Sequence, residues 1–145
     1  MTGYDREPSR EPSHEPSRFH LALEQYERAL QRLHEVLTLS ETDVVRDALI
    51  QRFEFTFEMA WKAMYRWLRE RAIAVDDSAY TVLPVALRHR LISDEAGWAQ
   101  MRQQRNLTSR TYREALAIEV AAYVRASGVQ LLDDALATLK SRADE

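Results

Sequence analysis

Cysteine is missing altogether from the 145 residues, which excludes disulfides, a thiolate nucleophile and cysteine-ligated zinc. Glycine occurs three times and proline four times, and Pro8, Pro12 and Pro16 all fall before residue 18. With so few turn formers in a chain rich in Leu, Ala, Glu and Arg, an all-helical domain is favoured. No uninterrupted apolar run approaches the ~20 residues that cross a bilayer, and no signal-peptide pattern opens the chain. A soluble, cytoplasmic protein without a membrane partner is therefore expected. Metal-ligand spacings, a glycine-rich phosphate loop and a Ser-His-Asp arrangement are also missing, so neither a metal nor a cofactor is expected. The formal net charge of -3 argues against duplex binding by bulk electrostatics. One domain of this length can bury a core without staples.

Residues 6–17 read REPS-REPS-HEPS. This charged repeat lacks apolar residues and cannot offset the entropy of ordering, so residues 1–18 are expected to be a disordered tail and residues 19–141 the folded domain. The first helix is predicted to start near Phe19. Phe19, Leu23, Tyr26, Leu30, Leu33 and Leu37 make one apolar stripe, and Ser40 or Thr42 would cap the next helix. That second helix, about Asp43 to Arg71, carries Leu49, Phe53, Phe57, Met64 and Leu68 on one face. Phe55, Trp61, Tyr65 and Trp67 spread apolar surface over most of the rest. A helix so apolar is buried on more than one side, either as the central helix of a bundle or with a homodimer interface on its second side. Glu54, Glu58, Lys62 and Arg66 form a stripe between these faces, and Glu58–Lys62 has the spacing of a helical ion pair.

Asp76-Asp77-Ser78 should form a loop and cap before a short helix through Leu91, starting or kinking near Pro84. Asp94 would cap the helix that carries Trp98 and Met101. Leu116, Val120 and Tyr123 mark a further helix, interrupted at Ser127-Gly128 and resumed through Val129, Leu132, Leu136 and Leu139. Five or six helices with short connections give an antiparallel up-and-down bundle.

Charge is distributed unevenly. No acid occurs from Ala96 to Arg113, whereas Arg102, Arg105, Arg110 and Arg113 all fall there. Arginine forks suit phosphate. More ordinary roles also exist. Arg105 and Asn106 could finish a helix by bonding its carbonyls, Thr108 and Ser109 could cap the following helix, and Tyr112 could sit at the core edge. Trp61, Trp67 and Trp98 read as packing residues.

The segment RNLTSRTYR at 105–113 resembles the R-x4-H-x-Y signature of HEPN-family proteins, with Arg110 at the histidine position. RDALIQRFEFTFEMAWKAMYRWL (46–68) and LISDEAGWAQMRQQRNLTSRTY (91–112) resemble, in order and spacing, the HepT-like subgroup described as nucleotidyltransferase substrate-binding proteins. The resemblance spans roughly Phe19 to Leu139. It implies a helical bundle that dimerises with two signature segments across a cleft, and a minimal nucleotidyltransferase as partner in a toxin–antitoxin-like pair. It also implies that the signature tyrosine, here Tyr112, accepts nucleotide from that partner, and that family members can be metal-independent ribonucleases.

Such cleavage needs a group that moves protons near neutral pH and a cation that stabilises the phosphoryl charge. Arg105 can supply the cation. Arg110 stays protonated, so it adds a phosphate clamp but no proton transfer, and of the other histidines His89 would have to reach the cleft to replace it. The expected function is thus a non-catalytic, HEPN-type binding partner whose degenerate site engages nucleotide or RNA phosphate through Arg105, Asn106 and Arg110. Tyr112 is the expected nucleotidylation target, and Glu54, Glu58 and Lys62 an interface or polar network. The rivals are an active endoribonuclease toxin, with Arg105 catalytic, and a dimeric docking module.

Overall fold

The computed structural model describes residues 15–145; the tail expected over residues 1–18 lies outside them as far as residue 14. Among the described residues all regular structure is helical. Helices α1 (Arg18–Leu37), α2 (Asp43–Glu70), α3 (Ala79–Arg88) and α4 (Glu95–Leu107) are followed by a 3-10 turn (Thr108–Arg110), then α5 (Glu114–Tyr123), a π-helical turn (Val124–Gly128) and α6 (Val129–Ser141).

Short polar side chains begin the first four helices. Ser17, Thr42, Ser78 and Asp94 each accept a hydrogen bond from the backbone N–H three residues on, a capping contact of about 1 kcal/mol. Of the two candidates before α2, Thr42 is the cap. Helix α3 begins at Ser78, well before Pro84. Proline is tolerated there because Pro84 and Tyr80, whose carbonyl loses its donor, both lie on the exposed side. Helices α2 and α3 end on residues in the left-handed region, Ala72 (φ 58°) and Arg90 (φ 61°). The following Ile73 and Leu91 amides return to the Leu68 and Ala86 carbonyls at 3.0 and 2.9 Å, the Schellman pattern that turns the chain back.

Helices α1 and α2 form an antiparallel hairpin, tied at one end by the Phe19 amide donating to Glu70 (2.9 Å) and further along by Arg52 Nη1 donating to the Arg32 carbonyl (2.7 Å). Helix α6 lies antiparallel to α1, joined by Lys140–Glu27, His34–Asp133 and the buried Tyr26 hydroxyl, which donates to the Leu132 carbonyl at 2.5 Å. Helix α2 is the central element, touching all five other helices. Leu49, Phe53, Phe57, Met64 and Leu68 are buried, as are Trp61, Trp67 and Trp98, so all three indoles pack in the core. Phe55 alone among the large apolar residues of the middle of α2 stands 56% exposed.

The interruption expected at Ser127-Gly128 is instead a π turn, and Glu114–Ser141 runs as one helical rod of 28 residues. A Cβ on Gly128 would lie 2.8 Å from Tyr123 Cε2, so the absence of a side chain lets the Tyr123 ring pack over the widened turn. Joined this way, the rod is long and apolar enough, by length and composition alone, to cross a membrane, a test that the core helix of a soluble protein also passes. Its Ala117, Val120, Val124, Leu132 and Leu139 are buried in the bundle core.

Candidate functional site

Arg105 occupies the last turn of α4, where the chain bends through the 3-10 turn towards α5. Its side chain does not finish α4 by bonding carbonyls. It crosses to α2 and lies between two carboxylates that a four-residue spacing places on one helical face. Nη1 is 3.1 Å from Glu54 Oε2, and Nε is 3.3 Å from Glu58 Oε1. Nη1 also donates to Thr108 Oγ1 at 3.1 Å. Thr108 is buried, and its single hydroxyl proton faces both Glu54 Oε2 (2.8 Å) and the Arg105 carbonyl (2.6 Å). The second Glu58 oxygen accepts from Trp61 Nε1 at 3.0 Å. Among the described residues Nη2 of Arg105 has no partner, so one edge of the guanidinium remains available.

This network opens onto a groove of about 570 Å³ lined by Arg105, Glu54, Glu58, Phe55, Gln51 and Arg52 of the α2–α4 side and by Ala29 and Arg32 of α1. Three cations and two carboxylates therefore face one hollow with an exposed aromatic ring. The arrangement can receive an anion through the free Nη2 edge of Arg105 and through Arg32, against the repulsion of Glu54 and Glu58, which hold Nη1 and Nε of Arg105.

Several expected roles change in this setting. Glu58 does not pair with Lys62: its oxygens meet Arg105 and Trp61, and Lys62 sits 5.8 Å from the Trp61 ring centroid. Glu54 and Glu58 bond within the chain rather than only to solvent. Thr108 joins the network and caps nothing in α5, whose cap residue Arg113 makes no side-chain capping bond. Asn106, Arg110 and Tyr112 are exposed on the outer turn and do not join Arg105. Tyr112, 84% exposed, is no core-edge residue. Ser109 bonds the Asn106 carbonyl and Thr111 the Thr108 carbonyl, so local bonds hold this turn in its own shape.

Among the described residues no histidine reaches Arg105. His89 packs against Trp67 with ring centroids 6.4 Å apart, and Trp67 lies nine residues along α2 from Glu58, about 13 Å by helical rise. His34 bonds Asp133 at 2.7 Å on the α6 side, and His20 bonds Ser17. His14 lies outside the described residues. Sequence reasoning missed Thr108, Arg32, Arg52 and Phe55 as residues of the site. The one available signal was the four-residue spacing of Glu54 and Glu58, which marks a shared face without showing which cation meets it.

The chain is thus a helical bundle whose central helix α2 receives Arg105 from the end of α4. Residues 21–141 match the family described as "Nucleotidyltransferase substrate binding protein like", and the chain belongs to that family. It is 40% identical over 92 residues to a protein of Haemophilus influenzae named "Probable ribonuclease HepT", a match that takes in 58% of this chain and 63% of that relative. The chain thus spans somewhat under two thirds of that relative's length. A crystal structure of a Thermus thermophilus protein is similar with a TM-score of 0.72 and 36% identity, covering 79% of this chain and 98% of that one. A second structure, from Haemophilus influenzae and described as revealing the fold of a substrate binding domain of a nucleotidyltransferase, has a TM-score of 0.61 at 28% identity, covering 84% and 96%.

Proposed function

We propose that this protein is the helical, homodimeric partner of a minimal nucleotidyltransferase in a toxin–antitoxin-like pair, and that its ribonuclease motif is degenerate. The observation that carries this reading is the surroundings of Arg105. A guanidinium suited to phosphate is held in place by Glu54, Glu58 and Thr108, while among the described residues no imidazole stands near it. Binding chemistry is retained and histidine proton transfer is lost. The family name supports the choice of partner. Phe55, exposed beside the groove, suits a second copy laid along α2, which would bring two Arg105 groups to one cleft. The exposure of Tyr112 suits the role that the resemblance implies. Its phenol oxygen would attack the α-phosphate of a nucleoside triphosphate held by the partner, pyrophosphate would leave, and the phenolic proton would pass to solvent.

Cleavage of labelled RNA by wild type, Arg110→His and Arg105→Ala tests the reading, together with sedimentation of the chain alone and with a nucleotidyltransferase. The expected result is no cutting by wild type, Arg105-dependent cutting by Arg110→His, a dimer, and a stable complex. A second reading is an active endoribonuclease, favoured by the name of the 40% identical relative. Cutting by wild type that Arg105→Ala abolishes would establish it. A plain docking module would bind its partner equally well with Arg105→Ala.

A further inference from the structure

A second charged surface lies beyond the Arg105 groove and belongs to none of the roles above. Two hollows of about 370 and 300 Å³ share Arg18, Tyr65 and Arg66 and form one trough between the start of α1 and the end of α2. Lys62 and Arg69 complete its cations. Among the described residues none of these four cations is in an ion pair, which is also true of Arg28, Arg32, Arg71, Arg88, Arg90, Arg102, Arg110 and Arg113; what sets the trough apart is that it gathers four such cations along one seam. Two acids, Asp77 and Glu70, also line the trough, Glu70 accepting from the Phe19 amide while keeping its charge, so four cations stand against two carboxylates. Lys62–Arg66 and Arg66–Arg69 are also like-charge neighbours at helical spacings of four and three, mildly unfavourable in a helix, with Glu58 and Glu70 one turn to either side of the Lys62–Arg66 pair. In a chain of net charge -3, this is a local concentration of unspent positive charge. It is interleaved with an aromatic: Tyr65 lies in the trough with the Arg66 guanidinium 5.2 Å from its ring centroid.

We infer that this trough binds single-stranded nucleic acid, with Arg18, Lys62, Arg66 and Arg69 tracking successive phosphates and Tyr65 offering a stacking face to a base. Cations that follow a backbone, combined with an aromatic platform, are the recurring composition of such grooves, and they need no sequence-specific contact. Lys62 stands four residues beyond Glu58, so the trough opens about 6 Å along α2 from the Arg105 clamp. A strand lying in it would be directed towards that groove. The inference rests on the trough's own residues and holds whether or not the Arg105 groove receives phosphate.

Fluorescence anisotropy of a labelled single-stranded RNA, and of DNA of the same sequence, tests it across a salt series. The proteins are wild type, the triple variant Arg18→Ala/Lys62→Ala/Arg66→Ala, Tyr65→Ala and Arg105→Ala. The triple variant is expected to lose at least tenfold in affinity at low salt. Its log–log salt slope should fall by about 2, since each single-strand phosphate contact contributes about 0.7. Tyr65→Ala should weaken binding severalfold with the slope unchanged, and Arg105→Ala should keep the wild-type slope to within about one phosphate contact. Of the five positions Arg18 and Lys62 are exposed and Tyr65, Arg66 and Arg105 half-buried, so circular dichroism melting should show every variant folded. Wild-type affinity and slope in the triple variant would overturn the inference. So would failure of the wild type to bind either strand at concentrations on the order of 100 µM in low salt. Intact RNA binding with lost nucleotidyltransferase association in the triple variant would assign the trough to a protein partner and overturn it equally.

Discussion

Arg105 and Arg110 stand five residues apart in one segment, in opposite surroundings. Arg105 reaches inward from α4 to Glu54, Glu58 and Thr108; Arg110, at the end of the 3-10 turn, is exposed and, among the described residues, bonds nothing with its side chain. The same contrast separates the tyrosines. Tyr26 and Tyr123 are buried, and Tyr112 is 84% exposed. The difference shows that residues adjacent in a motif divide between two tasks. The inward part is a polar clamp, and the outward part is exposed surface.

The largest effect expected from this contrast is alkaline. Burial, with a smaller contribution from Asp94, raises the Tyr123 phenol from 10.0 to about 12, and burial likewise raises Tyr26 well above its ordinary value, helped by Asp133. The unfolded chain releases these protons near pH 10 while the folded chain still holds them, so stability is full below pH 10 and falls from pH 10 towards 12. Melting temperature against pH should show that fall in wild type and in Tyr112→Phe. It should be shallower in Tyr123→Phe, and equal slopes in all three would refute the assignment.

Next in size is the clamp. Arg105→Ala leaves Glu54 and Glu58 facing each other across one helical turn without their cation, and a loss of roughly 1–2 kcal/mol is expected, discounted for partial exposure. Arg110→Ala should stay within about 0.5 kcal/mol of wild type. Urea unfolding of the two variants gives the comparison directly, and equal losses would mean that the clamp contributes nothing to the fold. Thr108→Val keeps the shape and removes the hydroxyl, for an expected cost of about 1 kcal/mol. A double-mutant cycle with Glu54→Gln should show coupling, whereas one pairing Tyr112→Phe with Glu54→Gln should be additive.

The smallest expected effect is a gain. Ala72→Gly relieves a side chain held at φ 58° and should stabilise by about 0.5–1 kcal/mol. A lower melting temperature would show that the Ala72 methyl makes a contact worth more than the backbone relief.

Most of the helical framework was legible because periodicity and caps are local properties. Phe19 to Leu37 repeats its apolar residues by threes and fours, and Thr42, Ser78 and Asp94 are short acceptors placed where backbone donors lack partners. Ser127-Gly128 was misread for a local reason. Glycine lowers helix propensity, but the decisive contact is the Tyr123 ring against the same turn, and the buried residues on both sides keep the rod continuous. At Pro84 a start or a kink was open from the sequence, and the expected cap at Ser78 is where the helix begins, with Pro84 inside it.

What the sequence determined by itself was an all-helical chain, an acid-free arginine segment and a family resemblance carried by two ordered stretches. Only the tertiary structure decided that Glu58 meets Arg105 rather than Lys62, that Thr108 is buried in the clamp, and that His89 packs against Trp67. The tertiary structure also showed that Arg18 joins Lys62, Arg66 and Arg69 across 44 or more residues of chain. The reason is geometric. Spacing along a helix determines which residues share a face, but which groups meet across two faces depends on how the helices pack.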